Sequence, residues 1–433
     1  MTKWQHTLVA ILLSTGTLTI LTAHNAGATQ NTYVTRVLVV NKPEYVTPAT
    51  QIVDPLLINP WGSAIRTAGL GGHFWLANAG ANPSGEYTVT EYIGDVYDQG
   101  GQFVPLFQDA LQFVKVDGPP IGQVFSSSAS DFPVTGLLCA DDSLQTCDAS
   151  QPAFLGQFTG PSRFIVATED GKLAGWTEGT LHGTFGRLRK FETVIDNSAQ
   201  GALYRGLAIT DFPSDNWLCA ANFGQDKIEC YDKEWQPIGP VYDGPDLIQP
   251  FAKPLTVPSG PRKAYVPFNV QYLQGHFYVT YAELVTPSDP DFDPADPIAE
   301  RACAGCGYVV VFNRHGRYLR TLEQRHRLNA PWGLAIAPHH FGRFSNALLV
   351  GNFGDGTIVG FDLRTGKQLG YLRDPTGKKI KIDGLWALFF GNGASLGRAD
   401  YLYWTAGFND EVDGGFGSLH YVETANPDPD DED

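Results

Sequence analysis

Pro331-Trp332-Gly333-Leu334-Ala335 is followed, after a gap, by the apolar run Leu348-Leu349-Val350-Gly351-Asn352 and then by a second run that ends at Gly360-Phe361-Asp362. A short start, a strand, a turn rich in Asn and Gly and another strand make a hairpin unit, because Gly and Asn supply the positive φ that tight turns need. The unit recurs along the chain. Its other starts are Pro60-Trp61-Gly62-Ser63-Ala64, Val134-Thr135-Gly136-Leu137, Arg205-Gly206-Leu207-Ala208, Pro267-Phe268-Asn269-Val270 and Asp383-Gly384-Leu385-Trp386-Ala387. Their strands follow at 73–78, 163–169, 217–222, 277–283 and 401–407. Units of three or four strands without a helical period cannot bury their faces alone, so they stack around an axis as blades. Six starts predict an all-β, six-bladed β-propeller in a single domain. The strand Thr32 to Val40 is left over and is expected to close the ring beside Gly415 to Val422.

Composition agrees with this reading. The 433 residues include 48 Gly, 29 Pro and a single Met, which argues against long helices. Lys and Arg number 30 against 46 Asp and Glu, a net charge of −16, which excludes nonspecific binding to nucleic acid or to anionic membranes. Residues 1–28 read as a signal peptide, with Lys3, an apolar run from Leu8 to Leu21 and the small-residue site Ala26-Gly27-Ala28. The propeller then occupies 29–424, with insertions near 139–160 and 286–306, and 425–433 form an acidic disordered tail. No later stretch is apolar enough to span a bilayer. The expected location is secreted or periplasmic, where the pairs Cys139 with Cys147, Cys219 with Cys230 and Cys303 with Cys306 would form disulfides.

The stretches at 328–372, "IDGLWALFFGNG" at 382–393 and "LYWTAGFNDEVDGGFG" at 402–417 resemble a family of secreted bacterial six-bladed propellers related to NHL-type propellers. That family is known mainly as uncharacterised, so the resemblance implies a fold and no assigned chemistry.

In a propeller the inner strands line the axis and the loops beside them form the usual ligand site. Aligning the starts brings Trp61, Thr135, Arg205, Asn269, Trp332 and Asp383 towards the channel, with Glu169, Asn222, Glu283 and Asn352 at the ends of adjacent strands. Trp61, Arg205, Trp332 and Asn352 are candidate ligand-binding residues, since aromatics offer apolar area with a polar edge. Glu169, Asn222, Asn269 and Asp383 offer hard oxygen ligands that suit Ca²⁺. Six-bladed lactonases and phosphotriesterases are similar in architecture and hold Ca²⁺ with such a set. That similarity implies an ion that polarises a carbonyl or phosphoryl oxygen, with Glu283 as base. Two functions follow as expectations. The first is a binding or scaffold module taking a small molecule, glycan or extracellular protein at the channel mouth; the alternative is a Ca²⁺-dependent hydrolase. The acids from Asp289 to Glu300 imitate an EF-hand loop, but Pro294 stands where that loop needs Gly. Gly393-Ala-Ser395-Leu-Gly397 lacks the following helix of a nucleophile elbow.

Overall fold

The computed structural model describes residues 31–212, 215–259, 264–289, 292–294 and 297–423. The expected signal segment and acidic tail lie outside them, as do Asp291 and Asp296 of the EF-like stretch. Six sheets, antiparallel except where Ile52–Val53 runs parallel to Tyr33–Val40, are arranged around an axis as the blades of a β-propeller. Their innermost strands are Pro60–Ala64, Pro120–Phe125, Tyr204–Ile209, Tyr265–Leu273, Pro331–Ile336 and Leu385–Phe390. Each of these lies beside the next, and the last lies beside the first. The leftover N-terminal strand, Tyr33–Val40, pairs antiparallel with Gly415–Tyr421, with Tyr33 opposite Tyr421, so the last sheet is built from both ends of the chain.

The Pro-Trp-Gly starts have a specific geometry. Register shifts interrupt the pairing between Pro60 and Ser63, between Pro331 and Leu334, and between Leu385 and Leu388. A bulge of this kind re-aims the side chain it carries. Here it follows a residue with positive φ: Asn59 at 45°, Ala330 at 42° or Gly384 at 60°. At the first and fifth starts the neighbouring strand requires the glycine after the tryptophan, whereas the sixth carries Ala387 in that place. A Cβ on Gly62 would lie 2.3 Å from the Ile121 carbonyl oxygen, and one on Gly333 would lie 2.3 Å from that of Trp386. Neighbouring inner strands thus meet backbone to backbone, and the circle can be small.

The second start is misplaced in the sequence reading. Val134 to Leu137 belong to the strand Pro133–Cys139, which pairs with Phe154–Pro161 in an accessory sheet together with Thr184–Leu188 and Glu178–Leu181. Thr135 is exposed and its Oγ1 lies 2.7 Å from that of Thr159, far from any channel role. The second inner strand is Pro120–Phe125, in which Ile121-Gly122-Gln123 replaces Trp-Gly. Gly122 carries the closure there, since its Cβ would lie 2.6 Å from the Leu207 nitrogen. All three expected disulfides are present; Cys219–Cys230 staples two strands of the third blade, which has only three. Between blades, large rings interlock: Trp75 of the first stacks on Phe164 of the second at 4.0 Å, with Trp176 edge-on at 4.7 Å. Each such ring contributes up to ~4 kcal/mol of apolar burial, an upper limit for an extended-chain reference.

Candidate functional site

The two ends of the axis differ. At the end where the inner strands begin, the axis is filled. Trp61 and Trp386 stack at 3.3 Å between ring centres, Trp332 stands edge-on to both at 5.9 and 5.8 Å, and Phe353 stacks on Trp386 at 4.0 Å. Phe268 closes the remaining side, 6.3 Å from Trp61. The indole Nε1 of Trp332 donates to the Arg205 carbonyl at 2.8 Å, and that of Trp386 donates to Asn59 Oδ1 at 3.1 Å. The Arg205 guanidinium lies 5.3 Å over Trp61 and pairs with Glu169 Oε1 at 2.8 Å. Trp61, Trp332 and Arg205, expected to receive a ligand at an open mouth, instead build this plug; each is nearly fully buried.

The other expected residues at this end are held by local bonds. Asn222 Oδ1 accepts the Leu203 and Gln225 amides, both at 3.2 Å, while its Nδ2 donates to Gln225 and Glu229. Asn352 does the same for its own turn, accepting the Asn329 amide at 3.0 Å and donating to the Arg327 carbonyl and Thr357 Oγ1. Asn269 bridges two blades: Nδ2 donates to the Trp332 carbonyl at 2.8 Å and Oδ1 accepts the Val270 amide. Asp383 is exposed and accepts the Asn409 amide at 3.3 Å. The four oxygens expected around Ca²⁺, those of Glu169, Asn222, Asn269 and Asp383, are therefore engaged by four different sets of partners. Glu283 is buried, accepting from the Tyr265 hydroxyl at 2.6 Å and from Arg301 at 3.1 Å. Its carboxylate also lies within 4.8 Å of the Cys303 and Cys306 sulfurs, which are tied in a disulfide.

One group at this end escaped the sequence reading. Asn409, Asp410 and Glu411 are three consecutive residues in the left-handed region, with φ of 54°, 50° and 65°. Each such residue costs roughly 1–2 kcal/mol. The turn places Glu411 Oε2 2.8 Å from the Asn59 amide nitrogen, beside the plug. Burial and the neighbouring Glu300 push its carboxyl up to about 7, with the Asn59 bond pulling the other way. Asn and Asp tolerate this backbone best, which was the available signal.

At the opposite end, where the inner strands finish, the axis opens. A cavity of about 430 Å³ is lined by all six inner strands. At its floor stand Ser63, Gln123, Leu207, Gln271, Leu334 and Leu388, one from each, above a narrow throat of about 30 Å³ that reaches Asn269 and Trp332. Higher up the wall is apolar, with Ile65, Phe125, Ile209, Leu273, Ile336 and Phe390. No Asp, Glu, Lys, Arg or His is among the described lining residues. Gln123 is 7% exposed, and neither its Nε2 nor its Oε1 has a hydrogen-bond partner; Ser63 Oγ is likewise buried without one. Leaving such a group unpaired costs roughly 1–3 kcal/mol, which a polar group entering the cavity beside it could offset. Sequence reading missed the funnel because its residues look like ordinary strand core.

No family model matches the chain. Among solved structures, the α-L-arabinofuranosidase of Fusarium graminearum with arabinobiose is 8% identical, covering 89% of this chain and 97% of that one with a TM-score of 0.43. A glucose dehydrogenase is 13% identical, covering 85% and 97%, with a TM-score of 0.42. Likeness at that level says nothing of substrate. Closer in sequence, uncharacterized protein R648 of Acanthamoeba polyphaga mimivirus is 27% identical over 374 residues, 84% of this chain and 76% of that protein. Uncharacterized protein L690 of the same virus is 31% identical over 374 residues, covering 84% of this chain and 81% of its own length. These relatives are viral, so the bacterial part of the resemblance is not carried by them. The chain belongs to the family of the mimivirus uncharacterized protein L690.

Proposed function

We propose that the protein is a binding module that takes a small molecule in the axial funnel, at the end opposite the tryptophan plug. The observation that carries this reading is the buried Gln123 side chain, which belongs to the lining of a cavity of ligand size and whose amide has no hydrogen-bond partner within the chain. The described lining carries no Asp, Glu, Lys, Arg, His or Cys to activate Ser63 or Tyr272, which favours binding over catalysis at that site. Three disulfides suit an oxidising, extracytoplasmic compartment, where such a module would meet its ligand. The test is a ligand-observed NMR screen of neutral fragments against wild type and Ser63→Phe, which fills the funnel floor. Binders lost in the variant at unchanged melting temperature support the reading; fragments that bind both proteins alike, or none at all, overturn it.

A further inference from the structure

We infer that the funnel's ligand is an uncharged amphiphile: an aliphatic or alicyclic body ending in a single amide- or hydroxyl-type head that seats on Gln123. This rests on the binding reading above and adds its chemical class. The floor is divided. Ser63, Gln123 and Gln271 come from the first, second and fourth inner strands, while Leu207, Leu334 and Leu388 come from the third, fifth and sixth. A head group therefore meets hydrogen-bonding side chains from the first, second and fourth strands, with Leu207 between the two glutamines, and aliphatic ones from the fifth and sixth.

The unsatisfied atoms define what the head must do. Gln123, in the lining of both the cavity and the throat, carries a donor, Nε2, and an acceptor, Oε1, and neither has a partner within the chain. A primary amide or a hydroxyl satisfies both at once, because each donates and accepts. A carboxylate only accepts, and an ammonium only donates. Neither charge finds a counter-ion, since no described lining residue is ionised at neutral pH: Tyr272 is pushed up by burial and by Asp211, so it remains a phenol. Taking an ion into such a site without a partner is strongly unfavourable. The chain's net charge of −16 further opposes anions. Above the floor the apolar wall accepts the body, and the throat of about 30 Å³ is too small for more than a water-sized group, so the head stops at Gln123.

Octanamide and octanoate share one tail and differ in charge, which makes them the probes. Titration calorimetry at pH 7.5 on the full chain is expected to show octanamide binding at least ~100-fold more tightly than octanoate. Gln123→Leu, close in volume, should weaken octanamide roughly tenfold without lowering the melting temperature. Ser63→Phe should abolish it. Octanoate binding as well as octanamide, or octanamide indifferent to Gln123→Leu, overturns the chemical class while leaving the site intact. So does silence from both probes when fragments from the screen still depend on Ser63. Octanamide binding undiminished in Ser63→Phe overturns the site as well.

Discussion

The two ends of one axis are made from the same six strands and do opposite things. Where the strands begin, three tryptophans and two phenylalanines converge, every polar edge but one finds a partner, and charged side chains close over the top. The exception is Trp61 Nε1. Where they finish, the side chains are smaller, the walls are uncharged and a buried amide is left unused. Size at the level of the floor is the difference: tryptophan rings fill the six-strand ring at one end, whereas serine, glutamine and leucine leave it open at the other. One end holds the ring together, and the other leaves a cavity.

Four measurements can break or sharpen that contrast. Trp386 stacks on two rings and bonds Asn59, so Trp386→Ala should cost ~3–5 kcal/mol in denaturant unfolding while changing octanamide affinity less than about twofold. A loss of affinity as large as the loss of stability would mean that the ends are not separable. Gly333→Ala should cost roughly 1–3 kcal/mol through overpacking against the Trp386 carbonyl. A variant as stable as wild type would show that the ring has slack.

Glu411 tests the charged cover. Its carboxyl rises from the ordinary 4.5 to about 7 in the fold, so the stability it contributes is complete below pH 4.5 and is lost as pH rises through 7. The stability difference between wild type and Glu411→Gln should therefore drift by about 3 kcal/mol between pH 4.5 and 8, in favour of the variant at the higher pH. His73 works with the opposite sign. Burial lowers its pKa between Asp109 and Glu91, so its contribution falls as pH drops below 6.5, but it is common to both proteins and cancels. A flat difference curve would place Glu411 in water. The smallest effect is expected at Gln123→Leu in the absence of ligand, where stability should stay within about 0.5 kcal/mol or improve, because an unpaired buried amide is removed. A large loss there would mean that Gln123 holds the fold.

The repeated starts made the propeller and its N-terminal closing strand legible, because a Pro-Trp-Gly bulge needs both a ring to plug and a glycine to let strands touch. The second blade was misplaced for the same reason: Ile121-Gly122-Gln123 keeps the glycine and drops the tryptophan, while Val134-Thr135-Gly136 imitates the pattern in an accessory sheet. The disulfides followed from local pairing. The funnel was not legible. Asn222 and Asn352 look like channel ligands in a linear reading but brace their own turns. Gln123 and Gln271 look like solvent-facing positions of a strand and become a floor only when six strands converge. Which end of an inner strand is filled depends on side chains from five other blades, and no local pattern encodes that sum.

The closing strand gives the fold a timetable. Tyr33 waits for Tyr421, 421 − 33 = 388 residues later. At ~5–20 residues per second, synthesis keeps that strand waiting roughly 20 to 80 s for its partner. Throughout that interval Tyr33–Val40 presents an unpaired, partly apolar edge of the kind that recruits the wrong strand. Slower elongation lengthens the exposure and faster elongation shortens it.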